Sequence, residues 1–226
     1  MSTRVTIIIS IKMKTIFENA NDVFDYYRNY INNHGVIFQN TKAVFNLGVH
    51  INNPMDNNIT SDTRNWKKEY AHSEWLWYLT GDRNIQALGN IYGKVPKIWK
   101  KMADPSGNVN SNYGYQWERN SQIDIVINML KKNKETRQAS ISIYDGKEIA
   151  DYKYDTPCTY AVNFMIHDNK LNMSVMMRSN DLWFGFCNDQ YCFSMLQKVV
   201  SNEINIPVGW YYHFTNNMHL YESQLN

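Results

Sequence analysis

The chain has 226 residues, 43% of them hydrophobic and 19% charged, which places it outside the range of disordered chains and makes it long enough to bury one large core. Its 23 basic and 21 acidic side chains leave a formal charge of +2 and are interleaved along the sequence, so no clustered basic face points to nucleic acid. Three cysteines, Cys158, Cys187 and Cys192, form no CxxC pair and leave one over, which argues against a disulfide framework and a zinc site; a reducing compartment and no metal are expected.

The apolar run Val5 to Ile11 is too short for a signal h-region with its cleavage site and far too short to span a bilayer. The chain therefore reads as soluble and cytoplasmic, in the host cytoplasm if the source is viral. Ile16 to Asn32 carries Phe17, Val23, Phe24, Tyr27 and Ile31 at helical spacing, with Gly35 as a stop. Lys42 to Ile51 reads as a strand ending at the turn cluster Asn52-Asn53-Pro54. Trp66 to Thr80 reads as a helix with an aromatic face of Tyr70, Trp77 and Tyr78, with Glu74 within it and Gly81 closing it. A second amphipathic helix is expected over Ser121 to Lys132. Strands follow over Ala139 to Tyr144, Tyr160 to Ile166 and Leu171 to Met177, the last two joined by the hairpin-like His167-Asp-Asn-Lys170. A helix over Gly185 to Ser201 completes the pattern. No linker, composition break or repeat divides the chain, so residues 1–226 are expected to form a single α/β (α+β) domain.

Most unpaired cysteines are small buried hydrophobes, and Cys187 and Cys192 are read that way. Cys158 differs, because Asp155-Thr-Pro-Cys158-Thr159 places it where a loop enters a strand, and a thiol there becomes a nucleophile if a cation lowers its pKa. Arg178, at the end of the neighbouring strand, is such a cation if the Asp168-Asn169 turn is tight.

Pro157-Cys158, Met177-Arg-Ser-Asn-Asp181, Phe184-Gly-Phe186 followed by Asn188-Asp189, and His219-Leu-Tyr221 resemble the thymidylate synthase family in order and spacing. Upstream, Glu74-Trp-Leu-Trp-Tyr-Leu-Thr-Gly-Asp-Arg-Asn-Ile85 is similar to the family's segment around its catalytic glutamate, and Tyr113-Gly-Tyr-Gln-Trp117 to its Tyr-Gly-x-x-Trp element. The resemblance runs from about Lys42 to Tyr221. It implies a mixed β-sheet with flanking helices, with sheets packing across a homodimer.

Within the family, synthases carry His after the nucleophile where this chain has Thr159, and Asn at the base-reading position where it has Asp189. Those two residues, with Pro96-Lys-Ile-Trp99 and Asn110-Ser-Asn-Tyr-Gly114, resemble the phage deoxycytidylate hydroxymethylase branch. The swap has a physical reason. Uracil presents an N3–H donor beside an O4 acceptor, and cytosine reverses both. A carboxyl at Asp189 can accept from the N4 amine and share a proton with N3, which also draws electrons from C6.

The resemblance implies dCMP as substrate, 5,10-methylenetetrahydrofolate as cosubstrate and 5-hydroxymethyl-dCMP as product. Cys158 would attack C6 and Glu74 would manage ring protons through water. Arg178 and Ser179 would hold phosphate, His219 and Tyr221 the ribose 3′-hydroxyl, and Asn188 the substrate. Asp181 would bind the pterin, with Trp99 and Tyr113 lining the site. Family dimers lend two adjacent arginines to the partner's phosphate; here the pair reads Arg137-Gln138, so Lys42 is a further phosphate candidate. In synthases a segment beyond His-x-Tyr closes over the folate, whereas this sequence stops five residues past Tyr221, which suggests a site that admits water. A dCMP methylase, an authentic synthase acting on dUMP, and a non-catalytic nucleotide- or RNA-binding relic remain open at this level.

Overall fold

A computed structural model describes residues 13–225; the run Val5 to Ile11 lies outside them. Two residues, Ile16–Phe17, form β1, and the helix expected from Ile16 begins later, as α1, Ala20–His34. The reason is local: Asn19 stays extended and its side chain accepts from the backbone N–H of Asp22 at 3.0 Å, capping the helix there. Val36–Phe38 (β2) and Thr41–Ile51 (β3) follow. The next helix, α2, spans Lys68–Thr80, two residues shorter at its start than the aromatic pattern suggests, and ends at Gly81 in the left-handed conformation. Three short helices that the periodicity does not reveal come next: α3 (Ile85–Tyr92), α4 (Lys97–Met102) and α5 (Tyr113–Glu118). Gln122–Lys132 is α6.

The expected strand over Ala139 to Tyr144 is reduced to Ser140–Ser142 (β4). Thr159–His167 (β5) and Lys170–Met177 (β6) form the anticipated hairpin, with His167 opposite Lys170. Asp168 and Asn169 both have positive φ, 52° and 54°, the signature of the two-residue turn whose twist matches that of the strands. Asn180–Asp181 (β7) leads into a π-helical turn, Leu182–Phe186, and then α7, Cys187–Ile204. The 14-residue strand β8, Val208–Tyr221, is the longest and was not anticipated.

The strands form one eight-stranded mixed sheet in the order β1-β3-β8-β6-β5-β4, with β2 on β3 and β7 on β8. Strand β8 runs antiparallel to β3 and parallel to β6 and β7. Its odd residues Tyr211, His213 and Thr215 are fully buried, while Trp210, Tyr212 and Phe214 on the opposite face are part-exposed. Helix α7 packs against β6 and β8, and α2 and α6 pack against α7. Phe193, Leu196 and Val200 anchor α7 in the core, each burial contributing ~1.5–3 kcal/mol.

One close approach fixes α5 against α2. A methyl group at Gly114 would fall 1.6 Å from the carbonyl oxygen of Tyr78, a backbone atom that cannot swing aside. Gly114→Ala should therefore destabilise the fold by roughly 1–3 kcal/mol or more, read as a lower denaturant midpoint; an unchanged midpoint would contradict this packing.

Candidate active site

The β5–β6 hairpin brings the first two groups together. Cys158 sits immediately before β5, half-buried, and its carbonyl accepts from the backbone N–H of Arg178 at 2.8 Å. The Arg178 guanidinium reaches back over the same loop, donating to the carbonyls of Pro157 at 3.1 Å and Thr156 at 2.8 Å. Asp155, 2% exposed, braces the loop from the other side by accepting from the Ser111 backbone N–H at 2.6 Å and hydroxyl at 2.7 Å. Sequence reading quoted Asp155 without giving it a task.

Burial pushes the Cys158 thiol up to about 11; Arg178 counters this, and the nearby Asp189, Asp155 and Asp181 reinforce it. The resting side chain is therefore a thiol, and Arg178 is the cation that favours its ionisation.

Helix α2 delivers Glu74, 5% exposed. It is surrounded by aromatic residues on a helix that buries Trp75, Trp77 and Tyr78. The Tyr70 hydroxyl, one turn earlier, donates a short hydrogen bond to Glu74 Oε1. The Trp99 indole N–H, from α4, lies 3.0 Å from the same oxygen and 2.9 Å from the Tyr70 hydroxyl. Burial raises the Glu74 carboxyl to about 7, the Tyr70 and Trp99 hydrogen bonds holding it back. A carboxyl poised near neutrality suits general acid/base work. The sequence pattern puts Tyr70 on the aromatic face of this helix, and its i, i+4 spacing to Glu74 is the signal for the hydrogen bond.

The π-helical turn and the first turn of α7 present Asn188 and Asp189. Asn188 accepts from the Trp66 indole at 2.9 Å. Asp189 Oδ2 accepts from the Asn180 amide at 2.7 Å. Burial pushes the Asp189 carboxyl up to about 8, the Asn180 bond opposing it and the charges of Glu74 and Asp181 reinforcing it. At neutral pH it holds its proton.

Strands β7 and β8 place Asp181 opposite His219. Asp181 Oδ1 accepts from the Trp183 backbone N–H at 2.8 Å and its Oδ2 meets the Gln224 amide at 3.5 Å, with the Phe184 backbone N–H adding to the carboxyl's hydrogen bonding. Burial raises Asp181 and lowers His219, and their mutual attraction opposes both shifts. Tyr221 is exposed, with Asp181 and Cys158 near enough to raise its phenol further after burial. Ser179 is half-buried beside Arg178. Tyr113, buried, accepts from the Thr159 backbone N–H at 3.3 Å, directly after the thiol.

Two candidates stand apart. Arg137 is exposed, three residues before Ser140, which pairs with Asn163, the middle residue of β5; β4 runs from there toward the Cys158 end, so Arg137 lies on the side leading away from it. Lys42 pairs with Leu220, and its ammonium donates to the carbonyl of Asn32 at 2.8 Å, near the C-terminal end of α1. No group of three or more metal-ligating side chains occurs among the described residues, and none of the described helices is long and apolar enough to cross a membrane.

A thymidylate synthase family model matches residues 18–226. The chain belongs to the thymidylate synthase family. It is 37% identical over 144 residues to the deoxycytidylate 5-hydroxymethyltransferases of Enterobacteria phages T4 and T2, covering 59% of this chain and 56% of theirs. It is 32% identical over 163 residues to the thymidylate synthase of Wigglesworthia glossinidia brevipalpis, covering 68% of this chain and 60% of that one. The chain thus spans less than two thirds of the length of these relatives. Members of the family use methylenetetrahydrofolate as cosubstrate.

Glu74 and Asp189 make stability depend on pH. A carboxyl whose pKa folding raises stays protonated in the folded chain after the unfolded chain has ionised. The stabilisation is complete below the unfolded value near about 4 and is lost as pH rises through about 7 and about 8, the folded values of Glu74 and Asp189. Tm should therefore fall by several degrees between pH 5 and 9, and Glu74→Gln and Asp189→Asn should each flatten that slope; equal slopes in all three proteins would contradict the burial of these acids.

Proposed function

We propose that this thymidylate synthase family member transfers a one-carbon unit from 5,10-methylenetetrahydrofolate to C5 of dCMP, giving 5-hydroxymethyl-dCMP and tetrahydrofolate. The observation that carries this reading is Asp189, a carboxyl held by the Asn180 amide at 2.7 Å and near enough to Cys158 to act on its thiol. Protonated, it can donate to N3 of cytosine with one oxygen and accept from the N4 amine with the other. Similarity to the phage deoxycytidylate 5-hydroxymethyltransferases supports the same choice.

In this reading Cys158 adds to C6 of the ring as its proton leaves. Arg178 favours the thiolate, and its guanidinium plane suits the phosphate, with Ser179 beside it. The incoming phosphate weakens Arg178's hold on the thiolate, so a second cation is useful there. Arg137 precedes β4 on the side leading away from its own subunit's Cys158, and we assign it to the partner's site in a homodimer. The part-exposed face of Trp210, Tyr212 and Phe214 is the surface offered for that pairing. Lys42 already serves α1 and has no assigned part.

We assign His219 and Tyr221 to the ribose 3′-hydroxyl, and Asn188, whose carbonyl oxygen already accepts from Trp66, offers its amide N–H groups to the base. Glu74, near neutrality, takes the C5 proton and returns protons through water. The cosubstrate supplies the one-carbon unit at the oxidation level of formaldehyde. Asp181 suits its pterin, since the carboxyl Oδ2 can accept from the ring's N–H donors, while Trp99 and Tyr113 wall the pocket. Water adding to the C5 methylene, with Cys158 then leaving C6 to restore the ring double bond, gives the hydroxymethyl group with no change in the folate's oxidation state.

Tritium at C5 of dCMP should be released on incubation with methylenetetrahydrofolate, with 5-hydroxymethyl-dCMP identified by mass. Cys158→Ala should abolish release while dCMP binding stays within about tenfold. Asp189→Asn should lower kcat/KM for dCMP roughly a hundredfold or more and raise it for dUMP. Wild-type preference for dUMP, or a methyl product, would replace this reading with that of a synthase or a methylase.

If the site is shared, mixing Arg137→Ala with Cys158→Ala subunits should restore up to about a quarter of wild-type activity, because half of the randomly formed dimers hold one intact site. No recovery, with subunit exchange shown independently, would remove Arg137 from the site.

A further inference from the structure

Behind Asp189 lies a row of polar side chains that no step above uses. Asn180, His213 and Tyr211 are 2%, 0% and 1% exposed. Asn180 Nδ2 donates to Asp189 Oδ2 at 2.7 Å, its Oδ1 lies 3.1 Å from His213 Nε2, and His213 Nδ1 lies 2.7 Å from the Tyr211 hydroxyl. Two strands and a helix converge to build this line: β7 supplies Asn180, β8 supplies the His and Tyr, and α7 supplies the acid. Gly185 makes room for it. A methyl group there would lie 2.7 Å from Asn180 Nδ2 and 3.3 Å from Asp189 Oδ2.

The row has a direction. Burial holds His213 neutral, its pKa lowered to about 3, so one ring nitrogen donates and the other accepts. A phenol is a stronger acid than a neutral imidazole N–H, so Tyr211 donates to Nδ1. Nε2 then carries the hydrogen and donates to Asn180 Oδ1, which leaves the Asn180 amide N–H groups facing Asp189. Every member is satisfied in this sense of travel.

We propose that Tyr211, His213 and Asn180 are positioning residues that make the protein selective for cytosine over uracil, by fixing which oxygen of Asp189 accepts and which carries a proton. The proposal rests on the reading that Asp189 meets the base of dCMP. With Asn180 donating to it, Oδ2 is the carbonyl-type acceptor and the acid's proton is confined to Oδ1. This acceptor and donor pair matches the N4 amine and N3 of cytosine. Uracil requires the proton on Oδ2, so that it can donate to O4, and a carboxylic hydroxyl oxygen is a poor acceptor for the Asn180 bond behind it. The relay thus favours one base and opposes the other through a part-buried bond that never touches the nucleotide.

The test is calorimetric binding of dCMP and dUMP to the full chain at pH 7, with folding checked by thermal melts. H213F removes both ring nitrogens, and the ratio of dUMP to dCMP dissociation constants should fall about tenfold, mainly through weaker dCMP binding. H213Q, whose amide can donate to Asn180 and accept from Tyr211, should restore the ratio to within about threefold of wild type, which a purely space-filling role for His213 would not require. If H213F does not fold, Y211F should lower the ratio in the same direction, and nitrogen NMR of the wild type should show the hydrogen of His213 on Nε2. A wild type that prefers dUMP, or binds neither nucleotide, overturns the dCMP reading and this inference with it. A wild type that prefers dCMP while a folded H213F or Y211F keeps its ratio, or whose His213 carries the hydrogen on Nδ1, overturns the relay alone.

Discussion

The hydrogen bond from the Arg178 backbone N–H to the Cys158 carbonyl closes the end of the β5–β6 hairpin, and the rest of the site is arranged around it. It puts a thiol and a guanidinium at adjacent strand ends without any side chain having to reach. Because Arg178 also grips the carbonyls of Thr156 and Pro157, the cation and the loop carrying the thiol move as one piece. Such a link between adjacent strands is stiff, and it fixes the direction in which the thiol points.

Around that pair, the chain concentrates acids. Glu74, Asp155, Asp181 and Asp189 come from four different parts of the sequence into one partly dehydrated region. Four ionised carboxylates there would repel one another strongly, and burial adds to the cost. The structure relieves this by keeping the acids on different terms. Asp155 receives two hydrogen bonds from Ser111 and Asp181 caps the turn at Trp183, while Glu74 and Asp189 are held near or above neutrality. Neighbouring carboxyls with different proton affinities can exchange protons with a substrate instead of only attracting cations.

Much of this was legible in the sequence. The hairpin announced itself through alternating apolar residues on either side of Asp168-Asn169, and α7 through its helical spacing. The ordered motifs pointed to Cys158, Glu74, Arg178 and Asp189 before any geometry was available. Strand β8 escaped because its run Trp210 to Phe214 carries aromatic rings on both faces and hides the two-residue period. The line of Asn180, His213 and Tyr211 escaped for another reason: Asn180 lies 33 residues from His213, and a histidine in a strand carries no local mark of what it touches. The position of Arg137 was not legible, since only the strand register shows that it precedes β4 on the side away from Cys158.

The π-helical turn Leu182–Phe186 is more than a local irregularity. A π-turn holds one residue more than the α-helical turn it replaces, and each residue advances a helix by about 100°. The turn therefore sets the phase between β7, which carries Asn180 and Asp181, and α7, which carries Asn188 and Asp189. Helix α7 cannot rotate to compensate, because Phe193, Leu196 and Val200 tie it to the core. Over these five positions the protein can accept exchanges of side chain far more readily than a change in their number: a single deletion would leave every nearby functional group present and correctly spelled, yet aimed past its partner.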